Sequence, residues 1–187
     1  MDRAQALALL YRHTQTDSLR KHALGVEAAM RVYAEKFGED IETYGIVGLL
    51  HDFDYEETPD PKDHPMRGAG ILEGEGCPAH IIYAIKSHAT YLGLARLSRM
   101  DKTLFAVDEL VGFVTAVTLI RPNRSVMEVS VDSVKKKMKQ VGFARAVSRE
   151  DIVQGAESLG IPLDEHIATV IVAMQGIADR LGLAGTS

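Results

Sequence analysis

The stretch Asp40-Ile41-Glu42-Thr43-Tyr44-Gly45-Ile46-Val47-Gly48-Leu49-Leu50-His51-Asp52 decides how the rest of the chain is read. Asp40 is placed to cap a helix on which Ile41, Tyr44, Val47 and His51 recur at helical spacing. Gly45 and Gly48 leave room for a neighbouring backbone. His51 and Asp52 follow the apolar run Ile46 to Leu50, so an imidazole and a carboxylate stand where a buried helix meets a polar loop. Such a pair at the mouth of a core is suited to holding a metal ion.

Working outward, the hydrophobic period is helical nearly everywhere, and no segment alternates apolar and polar residues between hairpin signals. This predicts an all-α fold. Towards the N-terminus, a short helix spans Asp2 to His13. Thr16 or Asp17 then caps a longer one, whose stripe Leu19, His22, Val26, Met30, Tyr33 and Phe37 ends at Gly38. Towards the C-terminus, Phe53 to Lys62 is acidic and reads as loop, because Pro59 and Pro61 each remove a donor and restrict the preceding residue. His64-Pro65 opens a helix that Gly74 and Gly76 close, and Pro78 opens another on which Ile81, Ile85 and His88 share a face.

Asp101 to Ile120 is the most apolar helix, with Leu104, Asp108, Val111 and Thr115 stacked before Arg121-Pro122 stops it. Beyond Pro122, helices are expected over Ser125 to Gln140, Ser148 to Leu159 and Pro162 to Leu181, with a frayed end from Gly182 to Ser187.

Composition narrows the function. The 187 residues fit one domain, 46% apolar and 25% charged, and no apolar run approaches the length of a membrane span. Met1 to Tyr11 has no hydrophobic core with a cleavage site, so a cytoplasmic location is expected. The single cysteine, Cys77, excludes an intramolecular disulfide and a thiolate-based zinc finger, and reads as structural. A net charge of −5 argues against a nucleic-acid polymer as partner. The run Lys135 to Lys139 is a solvated helix face.

A lone histidine on an apolar helix face is most often a hydrogen-bonded core residue, and His13, His80 and His166 are read as structural. His22 and His88 differ through their company. Asp52 and Asp108 also lie in apolar contexts, where an ionised carboxylate must be paired or bound to a cation. Imidazole and carboxylate suit manganese, iron, cobalt, nickel, zinc or magnesium, and ligand type does not choose among them. Two such ions about 4 Å apart can clamp a phosphoryl group during in-line attack.

His22, then His51-Asp52, then Asp108 in Ala106-Val107-Asp108-Glu109-Leu110 resembles the HD-domain superfamily of metal-dependent phosphohydrolases. With His64 in Asp63-His64-Pro65 and His88 in Lys86-Ser87-His88-Ala89, the order is similar to that of its two-metal branches. The resemblance covers roughly Leu19 to Ile120. It implies a helical bundle with a core about 16–121, residues 122–187 adding C-terminal helices, and two divalent ions. His22, His51, Asp52 and Asp108 would hold one, and Asp52 would bridge to a second held by His64 and His88. It further implies hydrolysis of a nucleotide or other small anionic phosphorylated metabolite by a metal-activated, bridging hydroxide. The chain lacks the Gly-Tyr-Pro signature and the Ile-Gly after His-Asp of the cyclic-di-GMP phosphodiesterase branch, since it reads His51-Asp52-Phe53-Asp54-Tyr55.

Arg67 and Lys86 are candidates for gripping phosphate oxygens, with solvated surface charge as the competing reading. Asp54 stands where an acid or base for the leaving group could sit, or a loop-capping aspartate. Two other functions share the ligand pattern: a mixed-valence di-iron oxygenase of the same superfamily, and a non-catalytic, metal-stabilised regulatory module. Apolar helical faces after Pro122 leave room for a homodimer.

Overall fold

Side chains that accept the first free backbone N–H groups set several helix starts in this chain. Asp2 accepts from the Gln5 N–H at 2.8 Å and opens α1 (Arg3–His13). α2 (Asp17–Phe37) follows Thr16 and ends at Gly38, whose φ of 68° is the left-handed turn that glycine adopts without strain. Asp40 accepts from the Thr43 N–H at 2.6 Å and opens α3 (Ile41–Leu50). α4 (Met66–Gly74) and α5 (Ala79–His88) start after Pro65 and Pro78. Ser98 and Asp101 form a reciprocal capping box that opens α6 (Arg99–Leu119), two residues earlier than the apolar pattern suggests.

The structure is a computed structural model and describes residues 1–58, 60 and 62–185. The expectations for Pro59, Pro61, Thr186 and Ser187 lie outside those residues. Among the described residues the fold is all-α, with no strand. None of its helices is long and apolar enough to cross a membrane.

α2 and α6 form the centre of the bundle, where Met30, Tyr33, Leu104, Leu110 and Phe113 are fully buried. α2 packs on α3 and α6, and α6 on α5 and on α8 (Arg149–Leu159). Two glycines allow backbones to meet. A Cβ at Gly48 would lie 2.9 Å from the Glu27 Cα, and one at Gly155 would lie 2.5 Å from the Ala106 Cα. These approaches fix α3 against α2 just before His51, and α8 against α6 just before Asp108. Gly45 makes room for a side chain instead of a backbone, since its Cβ would lie 2.5 Å from the Arg31 Nε. Buried Glu27 accepts from Arg3 at 2.5 Å and Arg31 at 2.9 Å, and Arg31 reaches on to Glu42 at 2.7 Å, which ties α1, α2 and α3.

The C-terminal third departs from the expected continuous helices. Ser125 to Gln140 breaks into a short 3-10 turn, Val126–Glu128, and α7 (Val131–Met138), because Ser130 caps a new helix through the Ser133 N–H. Pro162 to Leu181 splits into α9 (Leu163–Gln175) and α10 (Ala178–Leu181), since Ile177 leaves the helical region at φ −129°. The expected fraying from Gly182 does not hold through Ala184. The Val126 N–H donates to the Leu183 carbonyl at 2.8 Å, Ser125 Oγ donates to Ala184 at 3.0 Å, and Leu183 is buried. Backbone partners distant in sequence anchor this end.

Candidate metal centre

His51 and His88 occupy equivalent places at the C-terminal ends of α3 and α5. There the last carbonyls lack helical partners. His51 Nδ1 donates to the Gly48 carbonyl at 2.8 Å, and His88 Nδ1 donates to the Ile85 carbonyl at 2.5 Å. Each bond fixes the ring and leaves Nε2 facing inward. His64 reaches the same state differently: its Nδ1 donates to Asp54 at 2.7 Å, and Asp54 also accepts the Gly68 N–H at 2.7 Å. A carboxylate that takes a histidine's outer N–H sets its tautomer and raises its basicity as a ligand.

The inward nitrogens converge on Asp52 and Asp108. His64 Nε2 lies 3.1 Å and His88 Nε2 3.3 Å from Asp52 Oδ1, and His51 Nε2 lies 3.4 Å from both Asp52 Oδ2 and Asp108 Oδ1. His22 Nε2 is 3.0 Å from Asp108 Oδ1. Two overlapping sets result: one ligand atom from each of His22, His51, Asp52 and Asp108 lies within 4.8 Å of the others, as does one from each of Asp52, His64 and His88. Asp52 is common to both. The six residues singled out as a set thus come together from α2, α3 and its exit, the loop before α4, α5 and α6.

Charge and burial are balanced here in a way that suits a cation. Burial pushes the Asp52 carboxyl up, but the charge of nearby His51 and the facing His64 and His88 rings outweigh it and hold Asp52 well below the usual carboxylate range. Burial likewise opposes ionisation of Asp108, and His51 and His22 outweigh it, again holding the carboxyl low. On the imidazole side, burial pushes His51 down while Asp52 and Asp108 raise it well above the ordinary value. His64 goes to about 9, with Asp52 and Asp54 overcoming burial. The field that draws a proton to these rings also draws a divalent cation.

Fit can be tested on one atom. His51 is fully buried, and its Nε2 has no hydrogen-bond partner among the described residues. A buried nitrogen left unpaired costs about 1–3 kcal/mol. A metal facing Asp52 and Asp108 would remove that cost, so the donor set fits one.

The cluster opens into a cavity of about 410 Å³. Beside the ligands its wall includes Tyr55, Tyr91, Phe105, Glu109, Val147 and Asp151. Tyr91 is held in place by donating to the His64 carbonyl at 2.5 Å. Glu109 accepts the Ser148 N–H at 3.0 Å, and burial, helped by Asp108, pushes its carboxyl up to about 7. Sequence reasoning did not find these residues. Glu109 follows Asp108 directly and could have been suspected. Asp151 comes from α8 and carries no local signal.

The remaining candidates lie elsewhere. Arg67 pairs with Glu57 at 2.8 Å and does not line the cavity, nor does Lys86. Asp54 is fully buried with both oxygens engaged, and stands behind His64 instead of facing the cavity. Cys77 is buried and its thiol is pushed up by that burial, away from thiolate character.

A family model described as HD domain matches residues 19–111, a span containing His22, His51, Asp52, His64, His88 and Asp108. No curated protein and no solved structure matches this chain.

Proposed function

From the HD domain that residues 19–111 carry, we propose that this chain is a metal-dependent phosphohydrolase acting on a nucleotide or other small phosphorylated metabolite. The observation that supports the reading best is the unpaired Nε2 of buried His51, 3.4 Å from two carboxylates. His22, His51, Asp52 and Asp108 would hold one divalent ion, and His64, His88 and Asp52 a second. When bound, such ions polarise a phosphoryl oxygen and lower the pKa of water.

The chain's own residues do the rest. Gly48, Ile85 and Asp54 hold the Nδ1 protons of His51, His88 and His64, so all three rings keep Nε2 free for coordination. Asp54 is a positioning residue that acts through His64. Tyr91 and Phe105 contribute aromatic rings to the cavity wall. No serine or cysteine nucleophile is required.

The test is to purify the protein with manganese, cobalt or nickel, measure metal per chain, and screen phosphorylated compounds with wild type and Asp52→Ala. Turnover in wild type alone is expected. Absence of turnover with every metal sinks the reading. If chelation then lowers the melting temperature while all metallated forms stay inactive, a metal-braced regulatory module is the better account. The sharing of Asp52 between both sets also suits two irons, so iron-loaded protein is assayed for substrate-dependent oxygen uptake; a site that rejects iron excludes an oxygenase.

A further inference from the structure

A second cavity, of about 350 Å³, adjoins the first. The two share His22 and Gly112 in their walls. They follow one stripe of α6, in which Phe105, Asp108, Glu109 and Gly112 line the first cavity and Gly112, Thr115 and Leu119 line the second. Leu119, Leu181 and Leu183 give that second space an apolar lining.

Gly112 stands at the junction. A Cβ there would meet only Val147 Cγ2, at 3.9 Å, so no packing against a neighbour explains why this helical position lacks a side chain. Glycine in a helix interior costs stability relative to alanine. Without a side chain there, the walls of the two cavities meet at Gly112.

The charges point the same way. Among the described residues no lysine or arginine lines the first cavity, whereas Glu109 and Asp151 do. Arg96 stacks on Phe105, 3.4 Å from the ring centroid, without lining the cavity. In the second cavity Lys21 is paired with Asp17 at 2.8 Å. Among the described residues, neither wall offers an unpaired lysine or arginine to the outer phosphates of a polyphosphate chain, which would lie against Glu109 and Asp151.

We infer that the substrate is a monophosphate ester whose uncharged, elongated apolar part passes Gly112 into the cavity lined by Leu119, Leu181 and Leu183. This rests on the phosphohydrolase reading for the phosphate end and on the second cavity for the tail. Hydrolysis joins a water oxygen to phosphorus and breaks the ester P–O bond, and the proton goes to the departing alcohol.

The test uses ethyl and octyl phosphate as probes on the full-length, manganese-loaded protein, with binding read by calorimetry and hydrolysis by phosphate release. Each methylene entering an apolar space is worth severalfold, so octyl phosphate is expected to bind at least about tenfold more tightly than ethyl. Gly112→Leu, which closes the passage, and Leu119→Glu, which charges its far wall, should each collapse that ratio with metal content retained. Equal binding of the two esters overturns the inference. So does a ratio that survives both variants, or ATP binding more tightly than octyl phosphate. If the ratio holds while neither ester is hydrolysed, the tail site stands and the hydrolase reading falls.

Discussion

His51 and His166 are both fully buried, and their surroundings differ in one atom. His166 Nε2 lies 2.8 Å from the Ala106 carbonyl, an acceptor only, so Nε2 carries the proton and Nδ1 accepts the Tyr33 hydroxyl at 2.6 Å. Both nitrogens are satisfied, and the ring joins α9 to α2 and α6. His51 donates through Nδ1 to its own helix, but its Nε2 faces two carboxylates without a hydrogen bond. Neighbouring carboxylates drive the two apart in charge as well: burial lowers both. It pushes His166 down and keeps the ring neutral, whereas Asp52 and Asp108 override it at His51. A buried histidine is therefore read as core or ligand by its second nitrogen, not by its depth.

Breaking the ligand side should have the largest effect. Asp52→Ala removes the residue common to both sets, and metal per chain should fall to background with turnover abolished, as plasma mass spectrometry and phosphate release would record. Retention of both metals in this variant would break the contrast. Next, His166→Leu deletes two buried hydrogen bonds and should cost about 2–3 kcal/mol in denaturant unfolding while leaving metal content intact. Loss of metal there would make His166 part of the site.

Asp54→Asn tests the link between the two types of histidine. With one oxygen for two donors, the amide nitrogen must face either the Gly68 N–H or the His64 Nδ1–H, so His64 loses its fixed tautomer and orientation. Metal affinity should fall about 10- to 100-fold in chelator competition. The smallest effect concerns pH. His166 has a folded pKa below its unfolded value near 6.5, so the unfolded chain binds the extra proton first as pH falls. Its contribution is complete above about pH 6.5 and declines below it, by at most about 1.4 kcal/mol per pH unit. Denaturation curves of wild type and His166→Leu should converge over that range.

Much of this was legible in the sequence where the signal is local. The cap at Asp40, the stop at Gly38 and the apolar stripes come from contacts within a few residues, and so do the helices they bound. His51-Asp52 stood out because its apolar neighbours are adjacent in the chain. The breaks at Ser130 and Ile177 were not legible, since a capping serine and one residue off the helical region look like ordinary helix in a periodic pattern. The anchored end at Leu183 was missed because its partner, Val126, lies far away in sequence.

The sequence by itself determined an all-α chain, and apolar company together with the resemblance to the HD-domain superfamily marked six imidazole and carboxylate residues as a set. Residue type and helical period are properties of neighbours along the chain, so they can be read without coordinates. Tertiary structure decided what lies across helices: that Asp52 sits in both ligand groups, that Asp54 stands behind His64, and that Glu109 and Asp151 face the cavity while Arg67 pairs away from it. It also placed a second cavity past Gly112. Those facts depend on how α2, α3, α5, α6 and α8 pack, and close approaches at Gly48 and Gly155 set that packing by allowing backbones to meet.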